Sequence, residues 1–592
     1  MGAVRVKSGY AHVTYASVSY PGAVSIATET VVHHRPPMEV VVPDDPLTEV
    51  LRRAVREHPK VVAVDFMGRT LTYRQLSVQV SKAVGALQNL GVRHGDRVAL
   101  VMPNCTSHVV AFWATLRLGA VLVEHNPTYS VDALAHQLED SGATVVLAWS
   151  KAVPNVLEAQ PRTQVRTVVA VDLARDLPTT SRYALRLPVA KARETAEKMC
   201  GPVPKDVQWW HKLVAAAEPV AAVERPPVAD DIALLQYTGG TTGVPRGAML
   251  THRNLVANVV QGEAWTGMDS GCETVYGVLP FFHAFGMTLC LSYAAQIAAT
   301  LVAFPNFDPD QVMAALGRRP GTFLPAVPPM LDRLVDASER SGVSLSSFRY
   351  ALSGAMSLPP ATARRWEEAT GGLVIEGYGM TETSPVALGN TFTPDRRPGA
   401  LGIPFPSTDI RLTDPEDPTC EVEPGQNGEL QIRGPQVFAG YWNGPEETAQ
   451  QLLPDGWLRT GDLVRRDEDG YVYLVDRLKE VIVTGGFKVY PSQVEDHLRG
   501  LEGIEDVAVF GVPEADRGES VVAAIVLKVG HTVETVDLAA VRAWGEQRLA
   551  RYALPKQLVV LTELPRSQVG KVLRRVVREH VLRRDDNPPP GM

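Results

Sequence analysis

The sequence predicts an α/β protein: a large N-terminal domain of helix-covered, mostly parallel sheets with a β-rich subdomain, followed by a small α+β domain. Three observations carry this expectation. From Leu71 onward, apolar residues at helical spacing alternate with short Val-rich runs joined by glycines. Further along, "GELQIRGPQVFAGYW" and "GYVYLVDR" alternate apolar and polar residues with the period of strands. Beyond Arg477 the elements become shorter and more mixed. With 592 residues, 45% of them hydrophobic and 21% charged, the chain has ample length for a large core.

In chain order, "LTYRQLSVQVSKAVGALQNLGV" places Leu76, Val80, Ala83, Val84 and Leu87 on one helical face and stops at Gly91. "RVALVMP" reads as a buried strand. "SHVVAFWATLRLGAVLVEHNP" gives a second helix, a stop at Gly119 and a second strand, and "SVDALAHQLEDSGATVVLAW" repeats the unit. Residues from Leu177 to Asp231 break the rhythm. "SRYALRLPVAKARETAEK" reads as one basic, partly amphipathic helix before the Pro-rich "GPVPKDVQWWHK". We read this region as a solvated surface insertion, the alternative being a face that touches anionic lipid. In the small domain the pattern runs strand 481–484, a Gly pair, helix 491–499, strands 507–510 and 521–529, helix 536–550 and strand 558–561. A domain boundary falls within Asp476–Glu480.

Several function classes drop out on composition. A net charge of −8 argues against a general nucleic-acid binder. Cys105, Cys200, Cys272, Cys290 and Cys420 are dispersed, which suits reduced thiols in a cytoplasmic protein and offers no zinc site. The N-terminus lacks an unbroken apolar core and reads as no signal peptide. Thr274 to Phe307 carries no charged residue, yet Pro280, His283, Gly286, Ser292, Gln296 and Pro305 break it into a buried strand, loop and helix.

The stretch Tyr237 to Leu250, "YTGGTTGVPRGAML", exposes backbone N–H groups beside hydroxyls and a cation, the chemistry of a phosphate cradle. It is not a Walker loop, because Gly240 is followed five positions later by Pro245. "GYGMTE" fails as a dinucleotide fingerprint, because Glu382 takes the place of the third glycine and would repel a pyrophosphate. An acid there suits a Mg²⁺ ligand beside a nucleotide instead.

Between residues 234 and 575, seven motifs follow in order: "LLQYTGGTTGVPRGAMLTHRNL", "LPFFHAFGM", "EGYGMTETSP", "GELQIRGPQVFAGYW", "WLRTGDL", "DRLKEVIVTGGFKVYPSQVE" and "LPRSQVGKVLRR". This series resembles the adenylate-forming superfamily of acyl-CoA synthetases, aryl-CoA ligases, luciferases and peptide-synthetase adenylation domains. Within it, the "QYTGGTTG" form and the closing motif look most like medium- and long-chain fatty acid–CoA ligases. The resemblance implies an adenylation domain over residues 41–476 and a mobile catalytic domain over 477–582. An N-terminal extension (1–40) and a tail (583–592) flank them.

The implied reaction activates a carboxylate with Mg·ATP to an acyl-adenylate and then passes the acyl group to coenzyme A. Thr238, Gly239, Gly240, Thr241, Thr242 and Gly243 would wrap the outer phosphates, with Arg246 where the family usually has Lys. Glu382 is the implied Mg²⁺ ligand, with Thr381 beside it. Tyr378 and Gly379 would meet adenine, with Gly354 and Ala355 on its other side. Asp462 would accept from the ribose hydroxyls, joined by Arg477. His283 resembles the gate near the substrate carboxylate, Lys571 the adenylation lysine, and Lys479 the pivot. Gly485 and Gly486 would leave room for the pantetheine arm after the swing.

Glu382, Asp462, Arg477 and Lys571 are all retained, which argues against an inactive scaffold. About 20 residues follow Lys571, fewer than a carrier domain needs. A fatty acyl-AMP ligase and an aryl-CoA ligase remain the nearest alternatives to a medium- or long-chain fatty acid–CoA ligase. The expected partners are fatty acid, ATP and CoA; the sequence leaves a homodimer and peripheral membrane contact open.

Overall fold

A computed structural model describes residues 36–238, 245–484, 486–514, 518–567 and 570–585. Two large sheets form the body. The first has seven strands, in the spatial order 208–209, 167–171, 145–149, 97–101, 121–125, 232–238 and 246–251. All pair in parallel except the last two, which form an antiparallel hairpin. The second has nine strands. Its parallel centre runs through Leu373–Gly379, Tyr350–Ser353, Phe323–Ala326, Thr274–Gly277, Thr300–Ala303 and Val62–Phe66, with antiparallel strands at both edges.

Alternation along one strand shows how the layers form. Val98 and Leu100 point into an apolar core that also takes Val275 and Leu301 of the nine-stranded sheet and Leu87, Phe112 and Val256 of three helices. Ala99 and Val101 point to the opposite face, where Leu134, Leu138 and Val156 cover them. A strand apolar on both faces needs a cover on each, and the intervening helices supply it.

A four-stranded antiparallel sheet, Asp409–Thr413, Gly428–Arg433, Leu458–Arg466 and Val472–Arg477, follows as the β-rich subdomain. The small domain has a sheet of Phe487–Val489, Ile482–Thr484, Gly518–Leu527 and Ile504–Glu514, with Gln557–Leu561 parallel to Gly518–Leu527. Its elements fall close to the expected ones.

Three details differ from the sequence reading. The basic stretch folds as two helices, Thr179–Ala184 and Ala190–Met199, because Pro188 lies between them and proline removes a helix N–H and crowds the preceding turn. The insertion is not wholly superficial: Gln208–Trp209 extends the seven-stranded sheet and Trp210 is buried. The last helix, Arg574–Asp585, runs past the expected start of the tail, and its Val577 and Val581 cover the second face of the small sheet against Phe510 and Val522. At the other end, Ser407 N–H donates to the carbonyl of Met38, within the expected N-terminal extension, at 2.8 Å. No helix among the described residues is long and apolar enough to cross a membrane, and Thr274–Phe307 forms a strand, a helical segment and a second strand within the core.

Candidate active site

The expected site residues that are described lie at strand ends and loops of the large domain and in the small one. Gly354 and Ala355 follow the carboxyl end of Tyr350–Ser353, and Tyr378 and Gly379 end the neighbouring strand. Binding at the carboxyl ends of parallel strands is the general rule for open α/β sheets. Gly379 is required by close approach: a Cβ there would lie 1.8 Å from the Pro385 carbonyl oxygen.

Asp462 and Arg477 face each other across two antiparallel strands. The Arg477 Nε lies 3.4 Å from Asp462 Oδ1, while the Tyr378 hydroxyl donates to Oδ2 at 2.6 Å. Tyr378 is thus joined to the expected ribose acceptor. Burial and the Asp462 charge hold its phenol far above the usual range, so it stays a donor.

Glu382 sits in the short helix Thr381–Thr383 and is buried. Tyr441 donates to its Oε1 at 2.6 Å and lies 2.5 Å from Gln451 Oε1. Burial raises the Glu382 carboxyl above its ordinary range, partly offset by Tyr441 and by the Arg477 charge. One buried carboxylate fits Mg²⁺ that takes its other ligands from phosphate and water. No cluster of three or more His, Cys, Asp or Glu among the described residues forms an all-protein metal cage.

Thr238 and Arg246 are paired across the antiparallel strands that flank the Gly-Thr stretch. Gly239, Gly240, Thr241, Thr242 and Gly243 lie outside the described residues, as does Gly485. Arg246 reaches Glu447 at 3.4 Å and stands over the Tyr441 ring at 5.8 Å, so the hairpin cation and the Glu382 carboxylate share one tyrosine.

His283 caps the following helical segment, its Nδ1 accepting from Phe285 N–H at 3.2 Å. Burial lowers its imidazole to about 4, which makes it neutral at physiological pH. The Phe285 ring packs on Gly354, where a Cβ would stand 3.0 Å away.

Lys571 is carried by a tight hairpin of the small domain. Ser567 N–H donates to the Lys571 carbonyl at 2.7 Å, and Arg566 donates to the Gly570 carbonyl at 2.6 Å. Gly570 approaches the large domain, a Cβ there lying 3.9 Å from Met356 Sδ. Burial chiefly, then the Arg477 charge, lowers the Lys571 ammonium to about 8, while Glu480 and Asp462 oppose the shift. The lysine is therefore within electrostatic reach of the Asp462–Arg477 pair. Gly486 has a φ of +83° at the turn between Ile482–Thr484 and Phe487–Val489. Lys479 is exposed in the short helix Leu478–Glu480 between the domains.

Sequence reasoning missed the partners around that segment. Asp476, 1% exposed, accepts from Ser492 N–H at 2.8 Å and Ser492 Oγ at 3.2 Å, and so caps the small-domain helix Pro491–Leu498 from the far side of Lys479. Arg574 donates to Glu495 through Nε and Nη2, both at 2.7 Å, to Ser492 Oγ at 2.9 Å and to Glu480, with Asp476 at 3.8 Å. Three acids and one arginine around a short connector were the available signal, but nothing in the one-dimensional pattern brings Arg574 back to residue 480.

A large domain carrying the buried Glu382 and the Asp462–Arg477 pair, with Lys571 of a small domain coupled to that pair, fits the adenylate-forming class. The comparisons agree. Residues 51–442 match the family model of the AMP-binding enzyme, and residues 493–571 that of the AMP-binding enzyme C-terminal domain. The chain belongs to the AMP-binding enzyme family and is an AMP-forming acid–thiol ligase. It is 35% identical over 547 residues to a long-chain-fatty-acid–CoA ligase of Bacillus subtilis, covering 92% of this chain and 96% of that one. A feruloyl-CoA synthase of Amycolatopsis is 34% identical, covering 89% and 97%. Among solved structures, ATP-bound MatB from Rhodopseudomonas palustris matches with a TM-score of 0.76 at 29% identity, covering 90% and 98%. A Mycobacterium tuberculosis fatty acyl CoA synthetase matches at 0.69 and 26%, with the same coverage.

Proposed function

We propose that this ligase activates a medium- or long-chain fatty acid with Mg·ATP and transfers the acyl group to coenzyme A. The observation that supports the reading is the Gly570–Lys571 end of the small domain approaching Met356 of the large one, with the Lys571 charge coupled to Asp462 and Arg477. The relatives named long-chain-fatty-acid–CoA ligase support the choice of acid.

In the first step the acid's carboxylate oxygen attacks the α-phosphorus and pyrophosphate departs, leaving an acyl-adenylate. A weak nucleophile meets a polyanion, so catalysis is mainly positioning and charge neutralisation. Lys571 supplies a cation at the transferring centre. Arg246 and the donors of residues 238–243 hold the outer phosphates, and Asp462 accepts from the ribose. Glu382 would hold Mg²⁺, which neutralises phosphate charge when bound. Neutral His283 closes the acyl side without pairing ionically with the carboxylate. In the second step the CoA sulfur bonds to the acyl carbon, the acyl–phosphate bond breaks with its electron pair to AMP, and the thiol proton is released. The small domain turns about Lys479 between steps, withdrawing Lys571 and bringing in the stretch that carries Gly485 and Gly486.

The test is incubation with Mg·ATP and a ladder of saturated fatty acids, plus benzoate and ferulate, with and without CoA, followed by product masses. Acyl-CoA from a window of fatty chain lengths is expected. Thioester from the aromatic acids alone would overturn the fatty-acid assignment, and acyl-adenylate unchanged by CoA would overturn the transfer step.

A further inference from the structure

Residues 278–283 join the strand Thr274–Gly277 to the helical segment that follows His283, and they form neither strand nor helix. Val278, Leu279 and Phe281 are buried and Pro280 brings no N–H, so this loop must find backbone partners inside the core. Side chains from the seven-stranded sheet and its connectors supply them. Asn104, just after the strand Arg97–Val101, donates to the Gly277 carbonyl at 3.2 Å and the Leu279 carbonyl at 2.7 Å. It also accepts from Phe281 N–H at 2.7 Å. Gln236, on the strand Ile232–Thr238, donates to the Phe282 carbonyl at 2.8 Å. His108 meets the Phe281 ring edge-on at 5.6 Å and is held by Glu124 at 3.0 Å. Gln236 is buried and its Oε1 has no hydrogen-bond partner among the described residues, so a destabilising amide is kept for one backbone carbonyl. That carbonyl belongs to the residue before His283. The turn there is tight: His283 N–H donates to the Pro280 carbonyl at 3.2 Å, and a Cβ on Gly286 would lie 2.1 Å from the same oxygen.

We propose that Gln236 is a positioning residue for adenylation, setting the acid's carboxylate at the His283 turn against the phosphates held beyond Thr238. Gln236 precedes Thr238 by two residues and holds Phe282, so one side chain spans from the phosphate strand to the acyl side. The strand itself does not depend on the amide. It pairs in parallel with Val121–His125 and antiparallel with Arg246–Thr251 through its backbone. Removing the amide therefore leaves the phosphate side in place and frees the acyl side. The inference rests on the assignment of the acyl side to His283 given above.

Gln236→Met keeps the length without the donor, and Gln236→Asn keeps the amide but shortens its reach by one methylene. Each full-length variant is measured for ATP binding without acid, which also reports that it is folded. Single-turnover formation of acyl-adenylate is then followed at saturating ATP and acid over a series of chain lengths. The ATP dissociation constant is expected to stay within about threefold of the parent's. Adenylation is expected to slow by about 100-fold, the loss that accompanies a reacting group displaced by about 1 Å. That loss should be the same at every chain length, because the carboxylate and not the tail is misplaced; a merely structural loosening would vary with the tail. Adenylation close to the parent's in both variants, equal loss of ATP binding and adenylation, or a loss that changes with chain length would overturn the proposal. A parent that adenylates no fatty acid would defeat the fatty-acid reading instead, and the variants are then read with the acid it does adenylate; one that adenylates no acid would overturn both.

Discussion

Burial and the Arg477 charge bring the free Lys571 ammonium down to about 8, so its cation is present below that pH and lost above it. The kcat/KM of adenylation, which reports the free enzyme, is therefore expected to fall as pH rises through about 8. Bound phosphates restore the cation, so kcat should hold to higher pH. Lys571→Ala is expected to lower adenylation, read by pyrophosphate exchange, by about 100-fold or more. Transfer from supplied acyl-adenylate to CoA should stay within about threefold; equal loss in both steps would refute a role confined to the first. Glu382 gives a companion case. Tyr441→Phe removes the donor to Glu382 Oε1 and is expected to raise the Mg²⁺ needed for half-maximal adenylation by about tenfold. An unchanged Mg²⁺ titration would place the metal elsewhere.

Among the elements, the connector between the domains depends most on residues distant in sequence. Arg574 binds Glu480, Glu495 and Ser492, and removing it leaves the 4%-exposed Glu495 carboxylate to the Val509 N–H and to Arg499 at 3.4 Å. Arg574→Ala is expected to destabilise the small domain by about 3 kcal/mol, read by thermal unfolding. It should slow adenylation more than transfer, because the same hairpin end carries Lys571. Arg574→Lys keeps the charge without the two-pronged geometry and is expected to recover only part of the loss. Equal half-reaction effects from Arg574→Ala would reduce the residue to a structural one. Elements with strong local signals were legible: the Val-rich strands, Gly91 and Gly119 as stops, and the small-domain helices. The split at Pro188 was also legible and was outweighed by an overall amphipathic pattern. The final helix was not, because the spacing of Val577 and Val581 is only one turn within a highly charged run.

For the molecule as a whole, the motifs specified which residues meet, because each belongs to a strand end or loop of a recurring chemistry. They did not specify how the residues bond to one another. Tyr378 donating to Asp462, and Tyr441 linking Glu382 to Arg246, depend on the register of the β-rich subdomain against the nine-stranded sheet. Register is a three-dimensional outcome that no single segment encodes. The order of the large and small domains was legible for the opposite reason, since each carries its own apolar pattern and closes its own core.

The Asp476 carboxylate gives the joint a catch. It sits on the last strand before the pivot and holds the first turn of a helix beyond it, so the two bodies click together at a particular angle. A joint with no catch would drift through its whole arc while idle. On the proposed cycle, a joint with a catch would wait in the stance that presents Lys571, ready for the first encounter with nucleotide. The waiting would then fall in the middle of the cycle, where the catch would have to release before the thiol enters. Clockwork with one detent keeps time by how long it rests there.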